Sequence, residues 1–401
     1  MKQNAVKITF SGDIMCDMRM HPAYKTESGG YDFSAMFAGC ANYLAASDYV
    51  VGNLETPISN ANFSDHPYKF NSPVELAEAV RAGGFTMVTT ANNHCLDRGV
   101  VGLENTMKSL DSVGIKHTGM NRGDALPTGL VENIGGMRIG FLSYTYGTNA
   151  FENHQYLDKS NRWKVNLYQE QELHNPLFRR FYNSKFNGFL RDATTRLRRL
   201  FSPKFALHPV WERSEKRAWR WRRMKEDIRA FRSMDGAPEY IVMCLHGGGQ
   251  LNGEPLKYLK RDVDKMMALG IDAMIVNHEH VIHRGTVSRG RPIVFSLGNF
   301  ASNMGVHLAP YDKMADYSIL FNLHLAKDGG VVRPVDFTFS ITKLIPDGAN
   351  RTRTVMLYDL INKCADPAER EKLLRDNLRV HNLFRNSDET EIELKLEYGL
   401  T

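Results

Sequence analysis

The 401-residue sequence predicts an α/β fold built from layers of sheet and helix. Three observations carry this. Strand-like apolar runs alternate with helix-periodic segments along most of the chain. Several runs end on Asp, Glu, Asn or His, as strands of an open α/β sheet do where their C-termini meet one crevice. Ser288-Arg289-Gly290-Arg291 is a turn between two strand-like runs, which reads as a closing hairpin.

Taken in order, residues 6–12 predict a first strand, 48–53 a second and 85–91 a third. A helix is expected over 73–82. Val100, Leu103, Met107 and Leu110 fall at helical spacing and predict a helix over 100–113. Further strands are expected at 115–118, 138–144, 240–245 and 273–276, and helices at 215–233 and 257–268. From about residue 350 the chain is charged and helix-like, with Leu373, Leu374, Leu378 and Leu383 as apolar anchors. There is no internal repeat and no long linker.

The composition, 42% hydrophobic and 24% charged, is that of an ordinary globular protein. No apolar run approaches the roughly 18 residues of a membrane span. The N-terminus leads straight into a strand without the apolar region of a signal peptide, so the expected location is cytoplasmic. Five scattered cysteines give neither a disulfide framework nor a CxxC zinc pattern. Cys16, Cys95 and Cys244 sit beside the polar strand ends and read mainly as small hydrophobes.

The net charge of +6 is uneven. Residues 152–236 hold 20 Lys plus Arg against 10 Asp plus Glu, a net of +10, and the remainder holds 31 against 35, a net of −4. All four tryptophans (Trp163, Trp211, Trp219 and Trp221) lie in this stretch. The expected organisation is a discontinuous domain (1–150 and 237–345), a basic Trp-rich helical insertion (151–236) and a helical C-terminal extension (346–401).

The polar strand ends are Gly12-Asp13, Asn53-Leu54-Glu55, Asn92-Asn93-His94, His246 and His278-Glu279-His280. Asp, Glu, Asn and His are ligands for hard or borderline divalent metals. A two-metal hydrolase needs a bridging carboxylate, neutral imidazoles and room for an activated water. Asp13 and Glu55 can supply anionic oxygen, and Asn93 an amide oxygen. His246, His278 and His280 can supply imidazole nitrogen. His94 is then free to act as a general acid. Singly, each piece reads as a cap or a core histidine; five in this order point to a metal site. Asp97 could orient His94 or cap the helix that follows. Arg98 could pair with a substrate phosphate or carboxylate, or be a solvated side chain. Asn299 could bind substrate or satisfy a turn.

The order of these pieces resembles the calcineurin-like metallophosphoesterase superfamily, and within it the bacterial capsule branch of CapA-type poly-γ-glutamate biosynthesis proteins. The matching segments are Ser11–Met15, Val51–Pro57, Ala91–Gly99, Leu245–Gly248, His278–Val281 and Ser296–Phe300. They cover about residues 6–146 and 237–303. The resemblance implies a four-layer α-β-β-α metallophosphatase-like sandwich holding one or two divalent ions (Mn, Zn or Fe). It implies Asp13 and His280 as first-metal ligands, and Glu55 as the bridge. It implies Asn93, His246 and His278 as second-metal ligands, and His94 as proton donor. The implied activity is hydrolysis by a metal-activated hydroxide on an anionic polymer or phosphoester, poly-γ-glutamate among the candidates. The alternative is a non-catalytic polymer-binding or assembly protein with a depleted site. The wider superfamily has a His where this chain has Met15, and the branch often has Trp and Pro where this chain has Gly247 and Glu279.

In the insertion, apolar residues from Phe178 to Phe201 fall at helical spacing among arginines and lysines. Three readings stand: a packed helical cap, a clamp for an anionic polymer or phosphorylated small molecule, and attachment to an anionic membrane surface. No specific nucleic-acid motif is present, and nothing fixes the oligomeric state.

Overall fold

The computed structural model describes residues 5–59, 69–169, 171, 189, 193, 218–303 and 314–400. Two sheets account for the core. The first runs β14 (Thr352–Met356), β13 (Val331–Pro346), β12 (Tyr317–Asp328), β1 (Val6–Ile14), β2 (Tyr49–Leu54), β3 (Met87–Thr89), β4 (Lys116–Thr118). Short β11 (Asn299–Ala301) pairs with β1, and β15 (Tyr398–Gly399) with β13. The second sheet runs β5 (Leu130–Ile134), β6 (Met137–Thr145), β7 (Tyr240–His246), β8 (Ala273–Asn277), β10 (Arg291–Val294), β9 (Gly285–Ser288).

Alternation along the strands makes four layers. Val6, Ile8 and Phe10 of β1 share one buried cluster with Ile139, Phe141, Val242 and Ile275 of the other sheet. On the outer face of the first sheet, Val50, Leu54 and Val88 meet Met36, Phe37, Leu44, Leu76 and Val80 from three helices, Ser34–Ala38, Ala41–Ala45 and Val74–Ala82. On the outer face of the second, Leu142, Ile241 and Met243 meet Ile228, Phe231, Leu259 and Val263 from the helices Ala218–Ser233 and Lys257–Ala268. The order is helix, sheet, sheet, helix.

The expected strands and helices are present; β5, β11 and the helices Ser34–Ala38 and Ala41–Ala45 are additional, and three further places differ. The third strand spans Met87–Thr89 instead of 85–91; just beyond its ends the Thr86 and Thr90 backbone N–H groups still donate to Val50 O of β2 and Thr118 O of β4. Residues 317–346, not divided in the sequence, are the long hairpin β12–β13, closed by Gly329 and Gly330 with φ of 55° and 83°. That two-residue turn suits the twist of the flanking strands. The tail begins with a strand, β14, before its helices Leu357–Lys363 and Pro367–Arg385. Leu373, Val380 and Phe384 bury one face of the second helix, whereas Leu383 points away and is 37% exposed. The hairpin at 288–291 forms as expected, with Ser288 paired to Arg291.

The amphipathic stretch 178–201 lies outside the described residues except for Phe189 and Ala193, both exposed. Among the described residues, no helix is long and apolar enough to cross a membrane.

Candidate metal centre

The C-terminal ends of β1, β2, β7 and β8 meet at the mouth between the two sheets. Asp13, Asn53 and Thr89 occupy paired register positions on three adjacent strands, with Asp13 opposite Asn53 and Asn53 opposite Thr89. Gly12 is required by the approach of a second segment. A Cβ there would sit 1.9 Å from Gly298 O, and the next residue, Asp13, donates its backbone N–H to that same carbonyl at 3.0 Å. Gly298 itself has a φ of 77°, a conformation that favours glycine. The Gly12-Asp13 and Leu297-Gly298-Asn299 segments therefore interlock, and Asn299 lands beside Asp13 in the β1–β11 pairing.

The His278-Glu279-His280 segment leaves β8 with φ of 119° at His278 and 59° at His280, values that non-glycine residues rarely adopt. Such strain persists where surrounding structure holds it, commonly at functional sites. Here it turns both imidazoles inward. The His278 ring centroid lies 5.9 Å from that of His280 and 4.8 Å from that of His246. Tyr146 covers His278 at 4.8 Å.

The six proposed ligands converge, and all are buried. His246 Nε2 lies 2.7 Å from Asn93 Oδ1, 3.1 Å from His278 Nδ1 and 3.4 Å from Glu55 Oε1. His280 Nδ1 lies 3.3 Å from Asp13 Oδ2, and its Nε2 lies 3.9 Å from Glu55 Oε1. Glu55 is common to both clusters of donors that could hold an ion, one with His278 and His280 and one with Asp13 and His246. Asn93 Oδ1 joins the second of these, beside His246 Nε2, and His278 Nδ1 and His280 Nδ1 link the two through His246 Nε2 and Asp13 Oδ2.

The electrostatics fit a cation. Asp13 Oδ2 and both Glu55 carboxylate oxygens are buried with no hydrogen-bond partner among the described residues. Burial, and then the neighbouring Asp13 charge, push the Glu55 carboxyl well above the usual carboxylate range. Burial, and then the surrounding histidines, push the His246 imidazole well below its usual range, which keeps it a neutral nitrogen donor. Buried carboxylates of this kind are paired or coordinate metal, and neutral imidazole with carboxylate and amide oxygen suits Mn, Fe or Zn.

Beside the ligands, His94 Nδ1 lies 2.7 Å from Asp97 Oδ2. Asp97 also accepts from the Phe70 backbone N–H at 2.7 Å and from Asn153 Nδ2 at 3.2 Å. It does not cap the helix Gly99–Ser112, whose N-terminus has no side-chain cap. Phe70 stacks on His94 with ring centroids 3.9 Å apart and planes 8° apart. Arg98 holds that segment down, donating to Phe70 O at 3.0 Å and to Lys69 O at 2.7 Å. Its guanidinium thus serves the backbone over His94. Asn299 brackets His280: its Oδ1 lies 3.0 Å from His280 Nδ1 and its Nδ2 donates to His280 O at 3.3 Å. These contacts orient His280 instead of only satisfying a turn.

A family model for the bacterial capsule synthesis protein PGA_cap matches residues 7–304. The chain belongs to the PGA_cap family. It is 23% identical over 334 residues to the capsule biosynthesis protein CapA of Bacillus anthracis, covering 82% of this chain and 66% of that one. It is 24% identical over 344 residues to the PGA biosynthesis protein CapA of Bacillus subtilis, covering 83% and 72%. The chain thus spans about two thirds of the length of the first relative. Among solved structures, calcineurin-like phosphoesterase YfkN of Bacillus subtilis aligns over 95% of this chain and 97% of its own, with 11% identity and a TM-score of 0.42.

Three contributors to this PGA_cap site were not read from the sequence as site residues. Asn53 Nδ2 donates to Asp13 Oδ1 at 2.7 Å. Asn149, left-handed at φ 50°, accepts from Asn93 Nδ2 at 3.2 Å, and its own Nδ2 lies 3.5 Å from His94 Nε2. Tyr146 and Asn149 both follow β6, another strand whose C-terminus opens on the crevice, and that position was the available signal. The cysteines stay apart from the chemistry: burial pushes the Cys244 thiol up to about 12 and raises those of Cys16 and Cys95 further. None joins a donor cluster among the described residues.

Proposed function

We propose that this PGA_cap protein is a metal-dependent hydrolase acting on an anionic polymer or a phosphoester, with a capsule-related polymer such as poly-γ-glutamate as the leading substrate candidate. The observation that carries the reading is the convergence of Asp13, Glu55, Asn93, His246, His278 and His280 around carboxylate oxygens that have no hydrogen-bond donor among the described residues. Divalent ions held there would lower the pKa of water towards ~7 and polarise the scissile group. The capsule connection rests on the names of the two CapA relatives.

The protein's own residues divide the remaining work. His94 stands at the edge of the ligand cluster, its Nδ1 side held by Asp97, which leaves Nε2 to deliver a proton to a departing oxygen or nitrogen. Phe70 and Asp97 fix the imidazole plane, so proton delivery has one direction. Asn93 presents Oδ1 to the ligand cluster because its Nδ2 is engaged by Asn149.

The alternative, a polymer-binding protein without turnover, is favoured by one observation. Met15 is buried where the wider superfamily carries a further histidine, so the Asp13–His280 position has fewer donors. Two measurements decide. Protein incubated with Mn²⁺ or Zn²⁺ and freed of excess should retain metal by elemental analysis, and His278→Ala should lower it. Phosphodiesters and γ-glutamyl peptides should then be assayed with wild type and His94→Ala. An expected loss of about 10²–10⁴ in turnover for the variant supports the hydrolase; metal retention with no turnover on either substrate class supports the binding protein.

A further inference from the structure

We infer that the outer face of the second helical layer is a docking surface for an anionic lipid bilayer. Two helices make this face, Ala218–Ser233 and Lys257–Ala268, both packed on the second sheet through one apolar cluster. They lie side by side: Lys265 Nζ stands 5.9 Å from the centre of the Trp221 ring, and Arg232 Nη1 donates to Gly270 O. On the first helix Arg222, Lys225, Arg229 and Arg232 recur every three or four residues, which sets them along one stripe. Lys225 is half-buried and the other three are exposed. On the second, Lys257, Arg261 and Lys265 recur every four residues and all are exposed. Among the described residues, the acids in these two stripes are Glu226 and Asp264. The other acids of the two helices face inward. Asp227 is buried and accepts from the Thr128 backbone N–H at 2.7 Å and from the Tyr144 hydroxyl, and Asp262 is buried as well. Packing has thus sorted the charges, leaving seven cations against two anions on the open side.

A face of one sign attracts a partner of the other, and its shape selects which. The cations are spread over two helix widths and, from Arg222 to Arg232, about 15 Å of helix axis at ~1.5 Å per residue. A flexible polyanion follows one line of charge and would leave one stripe idle. A planar bilayer meets both stripes together. Trp221, half-buried beside Lys265, adds an amphipathic ring of the kind that sits at headgroup level. Each cation brought to an anionic bilayer raises affinity about fivefold. Among the described residues no helix crosses a membrane, so the contact is peripheral. The candidate metal centre lies at the C-terminal ends of the strands, whereas the basic stripes run along the outward sides of the helices, so docking leaves the crevice open. The inference is independent of what the crevice binds.

The test is co-sedimentation of the full chain with vesicles of phosphatidylcholine, with and without phosphatidylglycerol, beside a binding assay on soluble poly-γ-glutamate. Wild type should partition onto the anionic vesicles and not the neutral ones, and added salt should weaken it. Combining Arg222→Gln, Arg229→Gln, Arg261→Gln and Lys265→Gln should lower the partition coefficient by about 10²–10³, with the thermal unfolding curve close to wild type. A control combining Lys108→Gln, Lys116→Gln, Arg370→Gln and Arg379→Gln removes as many exposed cations from other elements and should keep wild-type partition. If the first combination does not fold, Arg229→Gln and Arg261→Gln singly should each cost about fivefold. A folded stripe variant that partitions like wild type overturns the inference. So does a control that falls as far, since net charge and not this face would then be the cause. Equal binding to neutral vesicles, or binding to poly-γ-glutamate with none to anionic vesicles, also overturns it.

Discussion

Gly12 shows how much of a site can depend on an atom that is missing. Its α-carbon faces Gly298 O at a distance that a methyl group would reduce to 1.9 Å. Since the obstacle is backbone, Gly12→Ala cannot be relieved by a rotamer change. The expected cost is about 1–3 kcal/mol, read as a lower unfolding midpoint, together with reduced metal retention because Asp13 is the next residue. His283 makes a pH prediction at the same scale. Burial lowers its imidazole to about pKa 4, although its Nε2 lies 2.6 Å from Asn252 O. An unfolded histidine titrates near ~6.5. Below that pH the unfolded chain takes up a proton that the folded one refuses. Stability therefore falls as pH drops from about 6.5 towards about 4, by up to about 3 kcal/mol from this residue. Urea titrations of metal-free protein across that window, with His283→Gln as the flatter comparison, measure it. Wild type and variant with the same slope would remove His283 as the cause.

At the scale of elements, periodicity made most helices and strands legible, because a helix buried on one face repeats near every 3.6 residues. Lys257–Ala268 and the turn at 288–291 are cases where pattern and turn chemistry agreed. The hairpin β12–β13 was not legible for a physical reason. β12 is buried on both faces over most of its length, and Leu320 on the outer face blurs the alternation of Ile319, Phe321, Leu323 and Leu325 with Ser318, Asn322 and His324. β13 alternates Phe337, Phe339 and Ile341 with Thr338, Ser340 and Thr342, but Pro334 interrupts it beside a register shift. Proline is tolerated there because a bulge has no ladder bond to lose. The tail helix Pro367–Arg385 supplies a direct comparison. Phe384→Ala should cost about 3–5 kcal/mol, since Phe384 is fully buried against Phe339. Leu383→Ala, one residue away on the open side, should stay within about 0.5 kcal/mol. Chemical denaturation of the two variants checks both values; equal losses would mean that the helix does not dock by this face.

For the whole molecule, the proposed ligands stood out because strand ends must carry unusual residues to make a crevice polar. Their supports were not. Asn53 stood within a quoted motif, yet only the register of β1, β2 and β3 reveals that it lies against Asp13. Asn149 follows β6 in a left-handed conformation that its sequence does not announce. Because the proposed ligands come from both sheets, an ion bound among them would tie the two halves of the sandwich together. Saturating metal should therefore raise the unfolding midpoint, by about 4 kcal/mol of stability at a thousandfold excess over Kd, and chelation should reverse it. A calorimetric midpoint indifferent to metal would place the ion elsewhere or nowhere.

The pairing of β1 with β12 and β11 also has a consequence for synthesis. β1 is a central strand whose one neighbour, β2, follows within about 50 residues, while its other neighbours lie some 290–320 residues further on. At about 5–20 residues per second, a nascent chain would carry one open, apolar edge of β1 for roughly 15–60 seconds. During that interval Asp13 and Glu55 have left the ribosome without the histidines that complete their site. The emerging chain is thus both an unfinished metal site and an exposed template for strand pairing, and the time between those two ends is when a chaperone would have most to do.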